Sequence, residues 1–355
     1  MTDWSVYKSE DFFVPDFEVR VDGELMTGVK KVDIHNVVYR DNLYGMDTFE
    51  ITVNNWDRKK KRYKYSDSNQ YLPGRHLELK MGYEGEIGLR LMIAGEITSL
   101  RTTFPAEDYS KIVVGGTNVL HKFRRQQWSE VYIEMKDSEI AEMIGGRNGV
   151  KVRTDGAAKA EEEVRGWTMQ DTQYDLVFMH ERARRNGYDI FVDPDQATVY
   201  FGPTEVITKP HNILKYGQYA LWFEPNVSTA NQVGNVTVRA FSYSEKERAA
   251  GHASRTGGEY SRSVTRRKER AATQPFIGEY EASKLARAIR NHIAKEMVTG
   301  TGGVVGIPEL RVGTVLELKG LDKRFTGEWF VVGTQHIYDD QGYRTLFEVR
   351  KEDLG

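Results

Sequence analysis

The sequence predicts a mainly β protein that carries a smaller α+β part in the middle of the chain. Three observations lead to this prediction. Apolar and polar residues alternate in the first and last thirds, helical patterns appear between them, and one short stretch of the first third recurs in the last. Alternation with a period of two turns one face of each strand inward, which is typical of barrels and sandwiches.

The first third, residues 1–118, is predicted to form a β-barrel or sandwich. Four short runs alternate, with apolar positions at Phe17, Val19 and Val21, at Phe49, Ile51 and Val53, at Leu77, Leu79 and Met81, and at Leu89, Leu91 and Ile93. Asp22-Gly23 follows the first run and has the composition of a tight hairpin turn. The runs therefore predict strands that are joined by short turns.

Residues 119–205 are predicted to form a small α+β domain. A helix is expected from about Thr172 to Asn186, because Thr172 and Asp175 resemble a capping box and Gly187 suits the C-terminal end. Alternating residues after this helix predict a short strand pair.

Residues 206–244 and 300–355 are predicted to form a second barrel that is related to the first. The stretch Gly74-Arg75-His76-Leu77-Glu78-Leu79-Lys80 recurs as Gly313-Thr314-Val315-Leu316-Glu317-Leu318-Lys319. Similar strand patterns surround both copies. A repeated segment in matching surroundings indicates a duplicated structural unit.

Residues 245–299 are predicted to interrupt the second barrel as a mobile basic loop that an amphipathic helix follows. Within residues 245–275 the large apolar residues are Tyr260 and Val264, which is too little to order the segment by burial. Apolar residues then recur at helical spacing from Ala282 to Met297. The glycine-rich residues 300–306 that follow are interpreted as a flexible turn.

The sequence predicts no catalytic, cofactor-binding or metal-binding residue. The chain has no cysteine, which excludes disulfides, thiolate zinc sites and a cysteine nucleophile. His180-Glu181 begins like the helix of a zinc protease, but Arg184 stands where the second histidine is needed. Asp339-Asp340 predicts a turn, and the basic run at 266–270 lacks the interleaved aromatic residues of a single-strand-binding surface.

Charge and hydropathy argue against nucleic-acid recognition and membrane insertion. The chain holds 50 Lys and Arg against 52 Asp and Glu, so its formal net charge is −2. No apolar run approaches the roughly 18–20 residues that cross a bilayer. The first residues mix acidic and aromatic side chains, unlike a signal peptide. These features predict a protein made in the cytoplasm.

Two stretches resemble segments of the phage late control protein D and VgrG proteins. In the first, Gln170-Asp171 precedes a helix that ends in Arg184-x-x-Gly187-Tyr188. The second runs through the C-terminal part of the chain, with motif residues at Pro308-x-Leu310-Arg311-x-Gly313, Phe325-Thr326-Gly327, His336 and Gly342-Tyr343-Arg344-Thr345. The first third adds Asp47-Thr48-Phe49-Glu50 and Pro73-Gly74, so the resemblance covers most of the chain in order.

The resemblance implies two tail-tube-like β-barrels with an α+β domain between them, and no catalytic or metal-binding residue. It implies a central baseplate hub of a contractile tail or injection system, in which a homotrimeric ring joins the hexameric inner tube protein to the trimeric spike. VgrG proteins continue into a needle, whereas this chain ends at Gly355. A separate spike protein is therefore expected, and baseplate wedge and tape-measure proteins are further candidate neighbours.

Two alternative functions stay open. A cell-wall hydrolase at a tail tip needs a catalytic domain, for which residues 245–275 are the spare sequence. A carbohydrate-binding tail module would use surface aromatic residues such as Trp222. The sequence does not distinguish a phage tail from a bacteriocin or an injection device.

Overall fold

The computed structural model describes most of the chain. The described residues are 14–85, 88–106, 109–193, 198–204, 207, 210–217, 220–230, 232–242, 247–254, 268–272 and 279–352.

The first third is almost entirely β. Its strands are β1 Pro15–Val21, β2 Glu24–Leu25, β3 Ile34–Asn42, β4 Thr48–Asn54, β5 Trp56–Asp57, β6 Arg62–Tyr63, β7 His76–Tyr83, β8 Leu89–Thr103 and β9 Lys111–Asn118. A single helical turn, α1 Val29–Val32, precedes β3.

The middle third alternates strands and helices. After a 3-10 helix at Val119–Arg124, its elements are β10 Gln127–Met135, α2 Asp137–Arg147, β11 Lys151–Thr154, α3 Gly156–Glu161, β12 Arg165–Tyr174, α4 Asp175–Asn186, β13 Asp189–Val192 and β14 Thr198–Gly202.

The last third returns to β around one long helix. Its elements are β15 Pro210–Lys215, β16 Ala220–Val227, β17 Asn235–Ser242, β18 Glu247–Ser254, β19 Lys268–Ala272, α5 Glu279–Lys295, β20 Val298–Val305, β21 Val315–Lys319, β22 Gly327–Asp339 and β23 Gly342–Arg350.

One large sheet of 13 strands holds the first and last thirds together. Six strands of the first third lie in the order β3-β4-β9-β8-β7-β1, and six of the last third lie in the order β16-β20-β23-β22-β21-β15. We call these sets the first and second half-sheets. Each has its own apolar core, and they join where β22 pairs antiparallel with β3. Closed barrels were expected, but among the described residues the strands form one open sheet. The reason is that β22 pairs with β3 of the first half-sheet in addition to its neighbours in the second.

The two half-sheets repeat one strand order. Counted along the chain, the six strands of each lie in space as first, fourth, fifth, sixth, third and second. The repeated Leu-Glu-Leu-Lys stretch belongs to the fourth strand in both, β7 and β21. One difference is the first strand, which pairs antiparallel in β1–β7 and parallel in β15–β21. The internal repeat of the sequence therefore marks the same position in a duplicated arrangement.

The half-sheets also share two of their register shifts. The fifth and sixth strands contain a register shift at Ile97/Ser99 in the first half-sheet and at Val331/Gly333 in the second. The second and third strands contain one at Ile34/Asn36 and at Ala220/Trp222, respectively. A β-bulge inserts one residue at a defined place, so matching bulges fix which residues of the two half-sheets correspond.

The middle third combines strands and helices around a core of its own. It has a two-stranded sheet β10–β12, a three-stranded sheet β11-β14-β13, and one shared core with α2 and α4. The main helix begins at Asp175, three residues later than predicted, because Thr172 has a left-handed φ of 49° and still belongs to β12. Gly187, with φ of 76°, ends the helix as predicted.

The prediction of a structureless segment at 245–275 is wrong for the residues that the structure describes there. β18 and β19 pair with β17 in a separate three-stranded sheet, so β17 is also not part of the second half-sheet. A Cβ at Gly251 of β18 would overlap the backbone of α5 at Ala282, so the helix lies directly on the strand. Small residues make this contact, which is why a count of large apolar residues missed it. Residues 255–267 and 273–278 lie outside the described part.

The glycine-rich residues 300–306 form most of a strand, β20, where a flexible turn was predicted. The helix before it ends at Lys295, earlier than expected. Aromatic rings of neighbouring strands cover the glycines, since a Cβ at Gly300 would meet Phe223 and one at Gly302 would overlap Phe347. Glycine is therefore needed here for close packing.

Replacement of Gly302 by alanine tests this packing. We expect Gly302→Ala to lower the free energy of unfolding by about 1–3 kcal/mol, because the new methyl group forces the ring of Phe347 to move. Gly166→Ala is the matched control, since Gly166 also lies in a strand and has open space around it. Chemical denaturation of both variants measures the difference, and equal stabilities would contradict the account.

Candidate assembly interface

The residues that the sequence singled out for chemistry do not come together. His180, Glu181 and Arg184 lie on α4, and Asp339 accepts hydrogen bonds from Arg344 and from the backbone N–H of Gln341 in the turn between β22 and β23. In the part of the chain that is described, no group of three or more His, Asp or Glu side chains could hold a metal ion. No helix of that part is long and apolar enough to span a membrane.

The resembling segments instead hold the fold together. Gln170 is fully buried; it accepts hydrogen bonds from Tyr132 and Arg147 (both 3.0 Å) and donates to Asp175 (3.0 Å). Asp171, its neighbour in the motif, is exposed. The first motif thus fixes the start of α4 against β10 and α2.

The joint between the half-sheets is built around one buried arginine. Arg311 comes from the loop before β21 in the second half-sheet and reaches into the first. Its Nε donates to Asp41 Oδ2 (2.8 Å), and its Nη2 donates to the hydroxyl of Tyr39 and to the carbonyl of Met92 (2.9 Å). The side chains of Arg311 and Asp41 are 4% and 3% exposed, so water does not screen this ion pair.

Asp41 completes the joint from the other side. Besides Arg311, it accepts hydrogen bonds from the backbone N–H of Val312 (3.0 Å) and from the hydroxyl of Thr334 on β22. We call Asp41, Arg311, Tyr39 and Thr334 the polar joint. The sequence motif that contains Arg311 was the available signal, but nothing in the sequence identified its partner 270 positions away.

His336 lies next to the polar joint as a neutral, fully buried ring. Its Nε2 donates to the carbonyl of Leu310 (3.0 Å), and its Nδ1 accepts from the hydroxyl of Tyr343 (2.9 Å). Burial lowers the pKa of His336 to about 3. Burial, together with the charge of Asp41, raises the pKa of Asp47 to about 7. The two shifts therefore make the stability of the fold depend on pH in opposite directions.

A second buried network ties the second half-sheet to the rest of the chain. Arg350 at the end of β23 donates to Asp189 of β13 (3.0 Å), to Thr204 (3.1 Å) and to Glu352 (2.8 Å). Lys295 at the end of α5 pairs with Glu352 (3.0 Å). This network therefore attaches the α+β unit and α5 to the end of β23.

The edges of the large sheet that lack a strand partner in the described chain include one on β16 and one on β8. β16 pairs with β20 alone, and residues 98–103 of β8 pair with β9 alone. The N–H of Ser228 points to the β20 side, where it donates to the carbonyl of Met297. Because the backbone groups of successive strand residues point to alternate sides, the nitrogen of Pro225, three residues earlier, points to the unpaired edge of β16. Proline at such a position removes one donor and limits unspecific pairing with other sheets. The apolar residues Leu72, Leu221, Trp222 and Phe104 are exposed in the same half-sheets.

Replacement of Arg311 tests the polar joint. We expect Arg311→Met to lower the free energy of unfolding by about 3–5 kcal/mol, because Asp41 is left charged and buried without its partner. Arg90→Met is the matched control, since Arg90 pairs with Glu309 (3.2 Å) across the same joint but is 61% exposed. The control is expected to cost less than about 1 kcal/mol, and similar losses in urea denaturation would contradict the assignment.

The lowered pKa of His336 predicts a loss of stability in acid. Below pH 6.5, the ordinary pKa of histidine, the unfolded chain is protonated at His336, whereas the folded chain stays unprotonated there until about pH 3. The free energy of unfolding therefore falls as the pH drops from 6.5 to about 3. Asp47 acts in the opposite sense, and its contribution is lost as the pH rises from 3.8 through about 7.

A variant that cannot titrate at position 336 separates the two groups. His336→Gln keeps Asp47, so the difference in unfolding free energy between wild type and variant reports on His336. We expect the wild-type advantage to shrink by about 1.4 kcal/mol for each pH unit below 6.5. A difference that is independent of pH between 6.5 and 4.5 would show that His336 is not buried as a neutral ring.

The fold of the described chain matches solved structures over nearly its whole length. The 43 kDa tail protein of prophage MuSo2 from Shewanella oneidensis has a TM-score of 0.74 at 13% identity, over 96% of this chain and 99% of that chain. The tail protein of Neisseria meningitidis MC58 has a TM-score of 0.71 at 13% identity, over 96% and 98%. The c3393 protein of E. coli, a component of the type VI secretion system, has a TM-score of 0.62 at 14% identity, over 93% and 76%.

At these identities the likeness shows a common fold. The chain is thus a mainly β protein with the fold of phage tail proteins. No curated protein matches its sequence. A family described as the Alg8 N-terminal domain matches residues 13–340, which is most of the chain. The protein therefore belongs to the Alg8 N-terminal domain family.

Proposed function

We propose that this protein is a structural hub in the baseplate of a contractile tail or injection system. In this proposal three copies form a ring that adapts a hexameric inner tube to a trimeric spike. The shared fold with tail proteins and with a type VI secretion component supports a structural role in such a particle. The resemblance to late control protein D and VgrG proteins supports the position at the hub.

The duplicated strand order is the observation that carries the proposal. Each chain contains two half-sheets with the same order of six strands and with two bulges at equivalent positions. Three chains therefore present six similar units on one side of a ring, while the ring as a whole keeps three-fold symmetry. Such a ring can bind a six-fold tube through its six similar half-sheets, and it can bind a three-fold spike because the ring itself has three-fold symmetry.

The partners follow from this position. The proposed neighbours are the inner tube protein on one side and a separate spike protein on the other, with baseplate wedge and tape-measure proteins as further candidates. The role requires no chemistry, so we propose that the protein is not an enzyme and that its buried polar residues, such as Arg311, serve assembly and folding.

The mass of the assembled chain tests the proposal. Native mass spectrometry of the full chain is expected to show a complex of three times 40.7 kDa, because three copies give six half-sheets. A monomer at all concentrations, or a closed complex with another copy number, would contradict the proposed ring.

A further inference from the structure

We infer that copies of this chain join by strand pairing between β16 of one copy and residues 98–103 of β8 in the next. The pairing is antiparallel and has the register that joins β3 to β22 within the chain. The partner is thus a second copy of the same chain. This inference rests on the proposed ring and specifies how the ring closes.

The pairing of β3 with β22 is the template. It joins the second strand of the first half-sheet to the fifth strand of the second. The corresponding strands in the opposite half-sheets are β16 and β8, and in the described chain each of them has an unpartnered edge at the equivalent position. Because one edge belongs to a second strand and the other to a fifth strand, the two are complementary, and repetition of the template between copies leads to a head-to-tail ring.

The shared bulges fix which residues correspond. Ile97 matches Val331 on the fifth strand, and Ile34 matches Ala220 on the second. Backbone bonds confirm the first match: Gly74 N–H donates to Ile97 O (2.8 Å), and Gly313 N–H donates to Val331 O (3.3 Å). Both glycines have a positive φ, 92° and 81°.

These correspondences give the register between copies. Within the chain, Asn42 lies opposite Gly333, Arg40 opposite Gln335 and Tyr39 opposite His336. The equivalent pairs between copies are Ser228 with Ser99, Val227 with Leu100, Asn226 with Arg101, Pro225 with Thr102, and Glu224 with Thr103. Pro225 accepts one hydrogen bond through its carbonyl and donates none, so this joint has one backbone bond fewer than its template.

The polar joint has an apolar counterpart at this contact. Val227 stands where the template has Asp41, and Leu100 stands where it has Thr334. Leu72, two residues before Gly74, stands where the template has Arg311, two residues before Gly313. Leu72 is 41% exposed, and Leu100 and Val227 are half-buried. We call these three the apolar joint.

The charged residues of the polar joint are replaced by apolar residues on both edges together, which favours a second copy of the chain as the partner of these edges. Loss of the charged pair on one side alone would leave a buried charge in the ring, whereas here the counterparts of both charges are apolar. A contact that forms between separate chains then desolvates no ion pair, and its apolar surface is withdrawn from water on assembly. The apolar side chains lie on two edges that have complementary positions in the template.

Disulfide trapping tests the register directly, because the chain has no cysteine of its own. Arg101 and Asn226 are both exposed, and their template pair is not hydrogen-bonded, so the two Cβ atoms would be close enough for a disulfide. The double variant Arg101→Cys/Asn226→Cys is expected to lose its monomer band on oxidation and to give covalent dimers and trimers on a non-reducing gel.

Two further variants serve as controls for this experiment. Arg40→Cys/Gln335→Cys places the equivalent pair in the template. It is expected to form a disulfide within one chain, so that the protein still migrates as a monomer on the gel. Arg101→Cys/Glu224→Cys is two residues out of register, and its diagonal spacing of about 7–8 Å is too long for a disulfide. Equal cross-linking in and out of register would overturn the inferred pairing.

A charge in the apolar joint provides a second, independent measurement. Leu72→Asp is expected to convert the complex to monomers while the melting temperature of the monomer is unchanged. Met143→Asp is the control at similar exposure, 43%, on α2. A complex that remains trimeric but is not trapped at 101 and 226 overturns the strand pairing and keeps the ring. A chain that is never trimeric overturns the ring itself.

Discussion

The pairing of β3 with β22 determines the geometry of the whole molecule. It joins two copies of one strand arrangement edge to edge, and the polar joint fixes the register of that pairing. A one-residue slip would separate Arg311 from Asp41 and turn the side chains of β3 to the opposite face. Burial of an ion pair adds little net stability, but the loss of one partner is costly, so its main effect here is to exclude other registers.

The remaining elements depend on this joint. With β3 and β22 paired, the equivalent edges of β16 and of the end of β8 stay without a strand partner in the described chain. The Arg350 network then attaches the α+β unit and α5 to the second half-sheet. The chain thus carries a two-unit sheet to which the α+β unit and α5 are attached.

Much of this fold is predictable from local patterns in the sequence. Alternation placed most strands of the first third, Gly187 located the end of α4, and the Leu-Glu-Leu-Lys repeat identified the duplicated strand. The failures have physical causes. β18 packs through small residues under α5, and β20 is rich in glycine because aromatic rings from other strands cover it. Both features depend on neighbours that are distant in sequence, so composition alone pointed to loops.

The candidate interface was only partly visible in the sequence. Arg311 stands in a motif that the sequence offered, yet its role follows from Asp41 and Tyr39 of β3 and from Thr334 of β22. The edges of β8 and β16 cannot be recognised before the pairing of all other strands is known. The apolar joint is identified only by comparison of equivalent positions in the two half-sheets.

In the proposed ring the two half-sheets act as equivalent units. An electron cryo-microscopy reconstruction of the assembled protein, calculated without imposed symmetry, would show this arrangement. We expect three chains whose six half-sheets alternate at equal spacing and equal radius around one axis. Half-sheets at two different radii, or a copy number other than three, would contradict this arrangement.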